Sequence, residues 1–385
     1  MARDGSGDYT RVAGPYTGGS TILKDNINDE LDDIANALSG SPNINGTKPF
    51  AADQPMGGYN LTQVGSFSSP LGPLQDASQQ RLSLTTALPV TTGDITSAAT
   101  IYMTPAKGNR VSLWDGSYWH NLAQVELSLA LSSNSGHTNY HQSGKNFDVF
   151  YFDDNGTKRI GTGPAWTSDT GRGSGAGTTE ISRLSGVLVN VNSIVLRFGS
   201  ASGNTVAVAA NRATYLGTFR CSADGQTEDS RAKRFLWNYY NRLPRAMRVL
   251  EGTDSWSGSG AASWRQMNNS AANQLAFVAG AGEDRVRASA LLFASNSTST
   301  FRGIRCGIGI DATNAFADGC LPGDVMVDNN AFSRSLSATY DGFPGVGYHF
   351  LAALEYDNAA DTRTYAGDAG APTVLQSGIT GEVMA

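Results

Sequence analysis

The chain has 385 residues, of which only 16% are charged, with 28 Lys and Arg against 34 Asp and Glu and a formal net charge of -6. That length allows two or three domains with sizeable cores, and a charge content below the roughly 25% of an average soluble protein favours strands and turns over surface helices. The acidic balance and scattered arginines exclude a nucleic-acid backbone as the main partner, because phosphate binding needs clustered Lys and Arg.

No run approaches the roughly 18 apolar residues of a membrane span, and the opening Met1-Ala2-Arg3-Asp4-Gly5 lacks the apolar core of a secretory leader. A soluble product of the cytosol is therefore expected. Cys221, Cys306 and Cys320 are widely spaced, form no Cys-x-x-Cys pair and are odd in number. They indicate neither a disulfide framework nor a zinc site, and buried free thiols are expected.

Residues 1–20 are polar and Gly-rich, with Tyr9, Val12 and Tyr16 as isolated apolar anchors, the pattern of an arm that orders against something else. Ile27, Leu31, Ile34 and Leu38 then follow at steps of four, three and four, which predicts a helix over residues 25–38. Ser39-Gly40-Ser41-Pro42 ends it, since Gly suits the left-handed cap and Pro cannot continue the turn. The apolar stripe is either a core-facing surface or a docking and trimer-forming face. Further on, Pro55-Met56-Gly57-Gly58-Tyr59 begins a stretch whose apolar residues Tyr59, Leu61 and Val64 are too few for an independent core, so it needs partner chains.

Residues 79–104 are Ser-, Thr- and Ala-rich with sparse Leu, Val and Ile, and read as a neck. Asp115-Gly116 supplies a tight turn between two short apolar runs, predicting a hairpin over residues 109–122. Trp114 and Trp119 in it are expected to pack across the strands, a sugar contact being the alternative. Val125, Leu127, Leu129 and Leu131 alternate with Glu126, Ser128 and Ala130 as in a half-buried strand. Further strands are predicted at 147–152, 187–191, 194–198, 206–210, 215–219, 286–293 and 348–356, with Asp153-Asp154-Asn155-Gly156 as a second hairpin turn. Residues 234–248, rich in aromatics and interrupted by Pro244, read as strand then turn. Many short strands punctuated by turns point to antiparallel sandwiches or jelly rolls, and no rung-like repeat of a parallel β-helix is present.

Little in the chain looks catalytic. His137 and His141 lie in a Gly/Ser/Asn context without the Glu of a helical zinc motif, and read as a loop pair unless a trimer axis multiplies them. His120 and His349 have no evident partners. Gly171-Arg172-Gly173-Ser174-Gly175 lacks the Gly-Lys-Ser/Thr end of a phosphate loop, so a surface loop is expected. No Gly-x-Ser-x-Gly elbow occurs. Glu251 with Asp254, or Glu283 with Asp284, would suit a glycosidase only at the right separation, and Glu283-Asp284 falls at an expected turn. No cofactor, catalytic residue or resident metal is expected. Trp166, Trp256, Trp264 and Tyr340 stand in Gly- and Ser-rich surroundings that suit sugar-contacting loops, with burial as the competing fate.

Several blocks carry a resemblance. Met1-Ala2-Arg3-Asp4-Gly5-Ser6-Gly7-Asp8-Tyr9-Thr10, the helix with Asp32-Asp33-Ile34-Ala35, and Pro55-Met56-Gly57-Gly58-Tyr59 running on to Gln75-Asp76-Ala77 resemble, in that order, the virion-anchoring ends of bacteriophage tail fibres. Residues 234–248, Ser255-Trp256, Ala262-Ser263-Trp264-Arg265-Gln266 and Gln376-Ser377-Gly378-Ile379-Thr380-Gly381-Glu382-Val383 resemble blocks of phage appendage proteins. The resemblance implies a homotrimeric virion protein, located in the phage tail and assembled in the host bacterial cytoplasm. Residues 1–75 would attach to the virion, with Tyr9, Tyr16, Ile27, Leu31, Ile34 and Leu38 as attachment or trimer contacts. Residues 76–122 would form the neck, and 123–250 and 251–385 β-sandwich regions, as one domain or two, that meet a host surface glycan or protein. A decorative head or collar fibre and a polysaccharide-degrading tailspike are the alternatives.

Overall fold

The computed structural model describes residues 76–296, 302–327, 332–357 and 363–385, together with Ala2–Arg3, Tyr9–Thr10, Leu31 and Ser66–Ser69. The chain divides into two units, Met1–Val64 and Gly65–Ala385. In the first, Ala2–Arg3 pairs antiparallel with Tyr9–Thr10, and Leu31 is helical and 57% exposed. Tyr16, Ile27, Ile34, Leu38 and the Pro55-Met56-Gly57-Gly58-Tyr59 stretch lie outside the described residues.

The second unit is built from β-sheets that are antiparallel at all but one strand pair, and the expected sandwich is there. Its largest sheet begins at Thr205–Val208 and Ile194–Arg197, continues through Thr157–Thr162, Asn146–Asp154 and Ala213–Ala223, and crosses Gln226–Asp229 and Lys233–Arg234. It then runs on to Gln274–Ala279, Gly347–Asp357, Arg302–Ile310 and Gly323–Val327. Facing its C-terminal portion is a second sheet ordered Pro244–Leu250, Gly378–Met384, Val286–Asn296, Phe332–Gly342 and Cys320–Leu321. Period-two burial explains the pairing. In Val286–Asn296, Val286, Ala288, Ala290, Leu292 and Ala294 are buried while Arg287, Ser289 and Leu291 face out. The buried row packs against Leu275, Phe277, Ile304, Cys306, Ile308 and Leu351 of the facing sheet. Each large side chain so buried contributes roughly 1.5–3 kcal/mol.

Both predicted hairpins form. Arg110–Trp114 pairs with Trp119–Ala123, placing Trp114 opposite Trp119 with ring centroids 5.6 Å apart, and Gly116 takes the positive φ of 99° that the turn requires. Asn146–Asp154 returns as Thr157–Thr162 through Asn155 and Gly156, both at positive φ, while Asp153 Oδ1 accepts the Gly156 N–H at 2.7 Å. Cys221, Cys306 and Cys320 are all buried and free, as their spacing indicated.

The neck reading of residues 79–104 does not hold. Gln80–Ser83 and Thr100–Pro105 join Leu127–Ala130 in a three-stranded sheet, and Leu82, Leu84, Ile101 and Met103 are buried against Phe147, Val149 and Tyr151. Leu82 and Leu84, like Ile101 and Met103, are two apart in alternation, a strand signal masked by the Ser and Thr around them.

Residues 226–250 fasten this N-proximal β region to the C-terminal sandwich. Asp229 is held between Arg234 at 2.9 Å and Arg245 at 3.0 Å, all three less than 9% exposed. Asn238 closes on the former neck by accepting the Leu82 N–H at 2.6 Å. Lys233–Arg234 runs parallel to Gln274–Ala279, carrying one sheet across both regions. The expected strand is present as Leu236–Asn238, but the chain bends at 239–241 and Pro244, expected in the turn, opens the strand Pro244–Leu250, where it costs no ladder bond as the first residue.

Candidate functional site

Most of the polar groups that drew attention in the sequence are structural. His141 is fully buried, accepting the Ser132 N–H on Nδ1 at 2.8 Å and meeting Thr162 Oγ1 through Nε2 at 2.9 Å, while His137 Nδ1 lies 2.9 Å from Ser132 Oγ. No cluster of three or more metal-ligating side chains occurs among the described residues. Arg172, in the Gly-rich loop, turns inward to a bidentate pair with the buried Asp148, at 2.6 and 3.0 Å. Glu283 and Asp284 pair with Arg242, and Asp284 also accepts the Trp237 indole N–H at 2.9 Å.

The four aromatic candidates separate. Trp166 is 2% exposed, its ring beneath the Arg172 guanidinium at 4.3 Å, and Tyr340 is 5% exposed within the sandwich core. Neither presents a ring face to a ligand, because strand pairing and a folded-back loop turn them inward despite their small polar neighbours. Trp256 is half-buried, stacks on Tyr365 at 5.8 Å and donates its indole N–H to Glu355 Oε2 at 2.8 Å. Trp264 is also half-buried, but its ring belongs to a row of side chains across the outer face of a sheet.

That surface is the outer face of the sheet at Ser263–Gln266, Gly347–Asp357, Arg302–Ile310 and Gly323–Val327. The register aligns Trp264 with Tyr356, Tyr356 with Arg305, and Arg305 with Asp324. Residues directly opposite across a ladder share a face, so these four form one row over four strands. Trp264 and Tyr356 lie 5.3 Å apart, the Arg305 guanidinium stands 5.0 Å over the Tyr356 ring, and Arg305 Nε reaches Asp324 Oδ2 at 3.1 Å. Phe316, 43% exposed on the 311–319 connection, meets Trp264 edge-on at 5.4 Å.

The neighbouring residues lie on the other face, with Glu355 buried and Arg265 partly exposed. Arg265 and Glu355, next in sequence to Trp264 and Tyr356, are ion-paired at 2.5 Å, and Glu355 is 1% exposed. Burial pushes the Glu355 carboxyl above its usual range, opposed by the Arg265 guanidinium. Glu251 is also enclosed, and although burial works against its charge, hydrogen bonds from Asn273, Thr253 and Asn268 hold it below the usual range. Gly307 lies under the indole, where a Cβ would come within 2.8 Å of Trp264 Cζ3. Gly307→Ala is therefore expected to lift the Trp264 ring, seen as a red-shifted tryptophan emission with the melting temperature little changed; an unshifted spectrum would mean that the ring does not rest there.

An aromatic surface flanked by a guanidinium and a carboxylate can take the apolar C–H face of a sugar ring while pairing its hydroxyls. The sequence does not single out Tyr356, Arg305, Asp324 or Phe316; the alternation at 348–356 marks a strand, but only the register puts Tyr356 beside Trp264.

Together the folds and this row define a mainly antiparallel, multi-sheet β protein with a half-buried aromatic row on the outer face of one sheet. No protein-family model matches the chain, and no curated protein matches it. Among solved structures, a Bacillus thuringiensis Cry1Da tryptic core variant aligns at 6% identity with a TM-score of 0.17, covering 76% of this chain and 50% of that one. The chain thus spans about half the length of that structure, and a likeness of this degree carries no argument about function.

Proposed function

We propose that the chain is a bacteriophage tail fibre, a homotrimeric structural appendage that attaches to the tail through residues 1–75 and adheres to a host surface glycan through its β region. The observation that carries the adhesive part is the outer row Trp264–Tyr356–Arg305–Asp324, a half-buried aromatic surface beside the ion pair of Arg265 with the buried Glu355. The virion location rests on the order of the sequence blocks that resemble fibre anchors. Adhesion is multivalent: weak contacts of single sites add through three chains and several fibres, and avidity rises by about 10² to 10⁴ over one site. The engagement of Glu251 and Glu355 by neighbouring donors favours adhesion over hydrolysis.

Analytical ultracentrifugation of the full chain at micromolar concentration, with release of reducing ends from bacterial polysaccharide followed in parallel, tests this reading. A trimer that releases none is expected. A monomer would overturn the trimeric fibre, and steady release would move the assignment to a tailspike.

A further inference from the structure

We infer that the cleft beside the Trp114 hairpin is a second ligand site, one that takes a carboxylate-bearing saccharide unit. The cleft has a volume of about 560 Å³ and is lined on one side by Trp114, Asp115 and His120 and on the other by Asp153, Lys158 and Arg212. That volume falls within the range of small-molecule sites, roughly 300–1,000 Å³. The residues of the edge strand Thr205–Val208 and the hairpin strands converge here because Asp115-Gly116 and Asn155-Gly156 both turn at the cleft rim.

Its polar groups are unequally occupied, and the imbalance specifies the ligand. Asp115 Oδ1 accepts the Ser117 and Tyr118 N–H groups, each at 2.8 Å, and its Oδ2 lies 2.6 Å from His120 Nε2. Asp153 Oδ2 pairs with Lys158 at 3.0 Å, and its Oδ1 caps the Asn155-Gly156 turn at 2.7 Å. Arg212 is different. Its guanidinium lies against Gly116, where a Cβ would come within 2.1 Å of Nη2, and among the described residues no hydrogen bond or ion pair occupies it. A planar guanidinium fork without a direct partner can meet one carboxylate with two parallel N–H donors.

The rest of the lining disfavours a ligand with several negative charges. Two carboxylates would repel a phosphate chain, whereas their remaining lone pairs accept hydroxyl donors and Lys158 donates in return. Trp114, half-buried and backed by the buried Trp119, supplies an aromatic wall for an apolar ring face. A single negative charge, several hydroxyls and an apolar C–H face together describe a hexuronate residue of an acidic polysaccharide. This site stands on its own lining and is independent of whether the outer row at Trp264 binds anything.

The test is isothermal titration of the full chain with trigalacturonate and a hyaluronan hexasaccharide, each beside its carboxyl-reduced, neutral counterpart. At least one acidic probe is expected to bind at least tenfold more tightly than its neutral form. Arg212→Gln should erase that preference, Trp114→Phe should retain it, and Trp264→Ala should leave it unchanged, with circular dichroism confirming that each variant is folded. Binding of no acidic probe by the folded protein, or a preference that survives Arg212→Gln, would overturn the assignment.

Discussion

Arg172→Ala is expected to destabilise the protein by about 3–5 kcal/mol, the range for breaking a buried ion pair from one side. Asp148 has no exposed side-chain surface and is neutralised by Arg172, whose Nε and Nη2 bind its two carboxylate oxygens at 2.6 and 3.0 Å. The same guanidinium donates to the Gly280 carbonyl at 2.8 Å and to the Tyr215 hydroxyl at 3.2 Å, and it covers the Trp166 ring. Removing it strands a buried carboxylate beside Thr218 and Tyr215 and uncouples the Gly-rich loop from the strand that ends at Ala279. Urea denaturation measures the loss. Asp148→Asn combined with Arg172→Ala should recover part of it, because the stranded charge is then gone; a loss below about 1 kcal/mol in the single variant would mean that the pair is solvated.

The second large effect is acid sensitivity centred on His141. Burial, reinforced by the Arg197 guanidinium, pushes this imidazole down from 6.5 to about 3. The geometry gives the reason: Nδ1 already accepts the Ser132 N–H, so the neutral ring carries its proton on Nε2, toward Thr162, and a second proton would face a donor. The folded-state value lies below the unfolded one, so the unfolded chain binds the proton first. The stabilisation from keeping this ring neutral is complete above about pH 6.5 and falls as the pH drops toward 3; at pH 4 the loss is roughly 3 kcal/mol from this group. His141→Gln should flatten the stability profile between pH 6.5 and 4 relative to the native chain. Parallel profiles would assign the acid response to other groups.

Much of the architecture was legible because it depends on local alternation and turn chemistry. The Asp115-Gly116 and Asn155-Gly156 hairpins and the 286–293 strand each carry their own signal. The strands at Gln80–Ser83 and Thr100–Pro105 were hidden because their buried residues include Gln80, Arg81, Ser83 and Thr104, whose side chains hydrogen-bond the Gln124, Ala385 and Leu88 carbonyls and the Glu126 carboxylate. Period counting treats such residues as exposed. The site was legible in one residue only. Trp264 stood out, but its partners come from strands about 40 to 90 residues away, and pairing at that separation is set by the whole sandwich. Trp166 and Tyr340 misled for the complementary reason: small polar neighbours describe the local chain and say nothing of what folds over it.

The most direct test of adhesion through the outer row is binding of the fluorescently labelled full chain to a panel of bacterial strains, beside a folded Trp264→Ala, Arg305→Ala double variant. Strain-selective binding by the native protein that falls at least tenfold in the variant is the expected result. Binding to no strain by a folded trimer, or selective binding that the double substitution leaves untouched, would contradict a receptor-contacting role for this face.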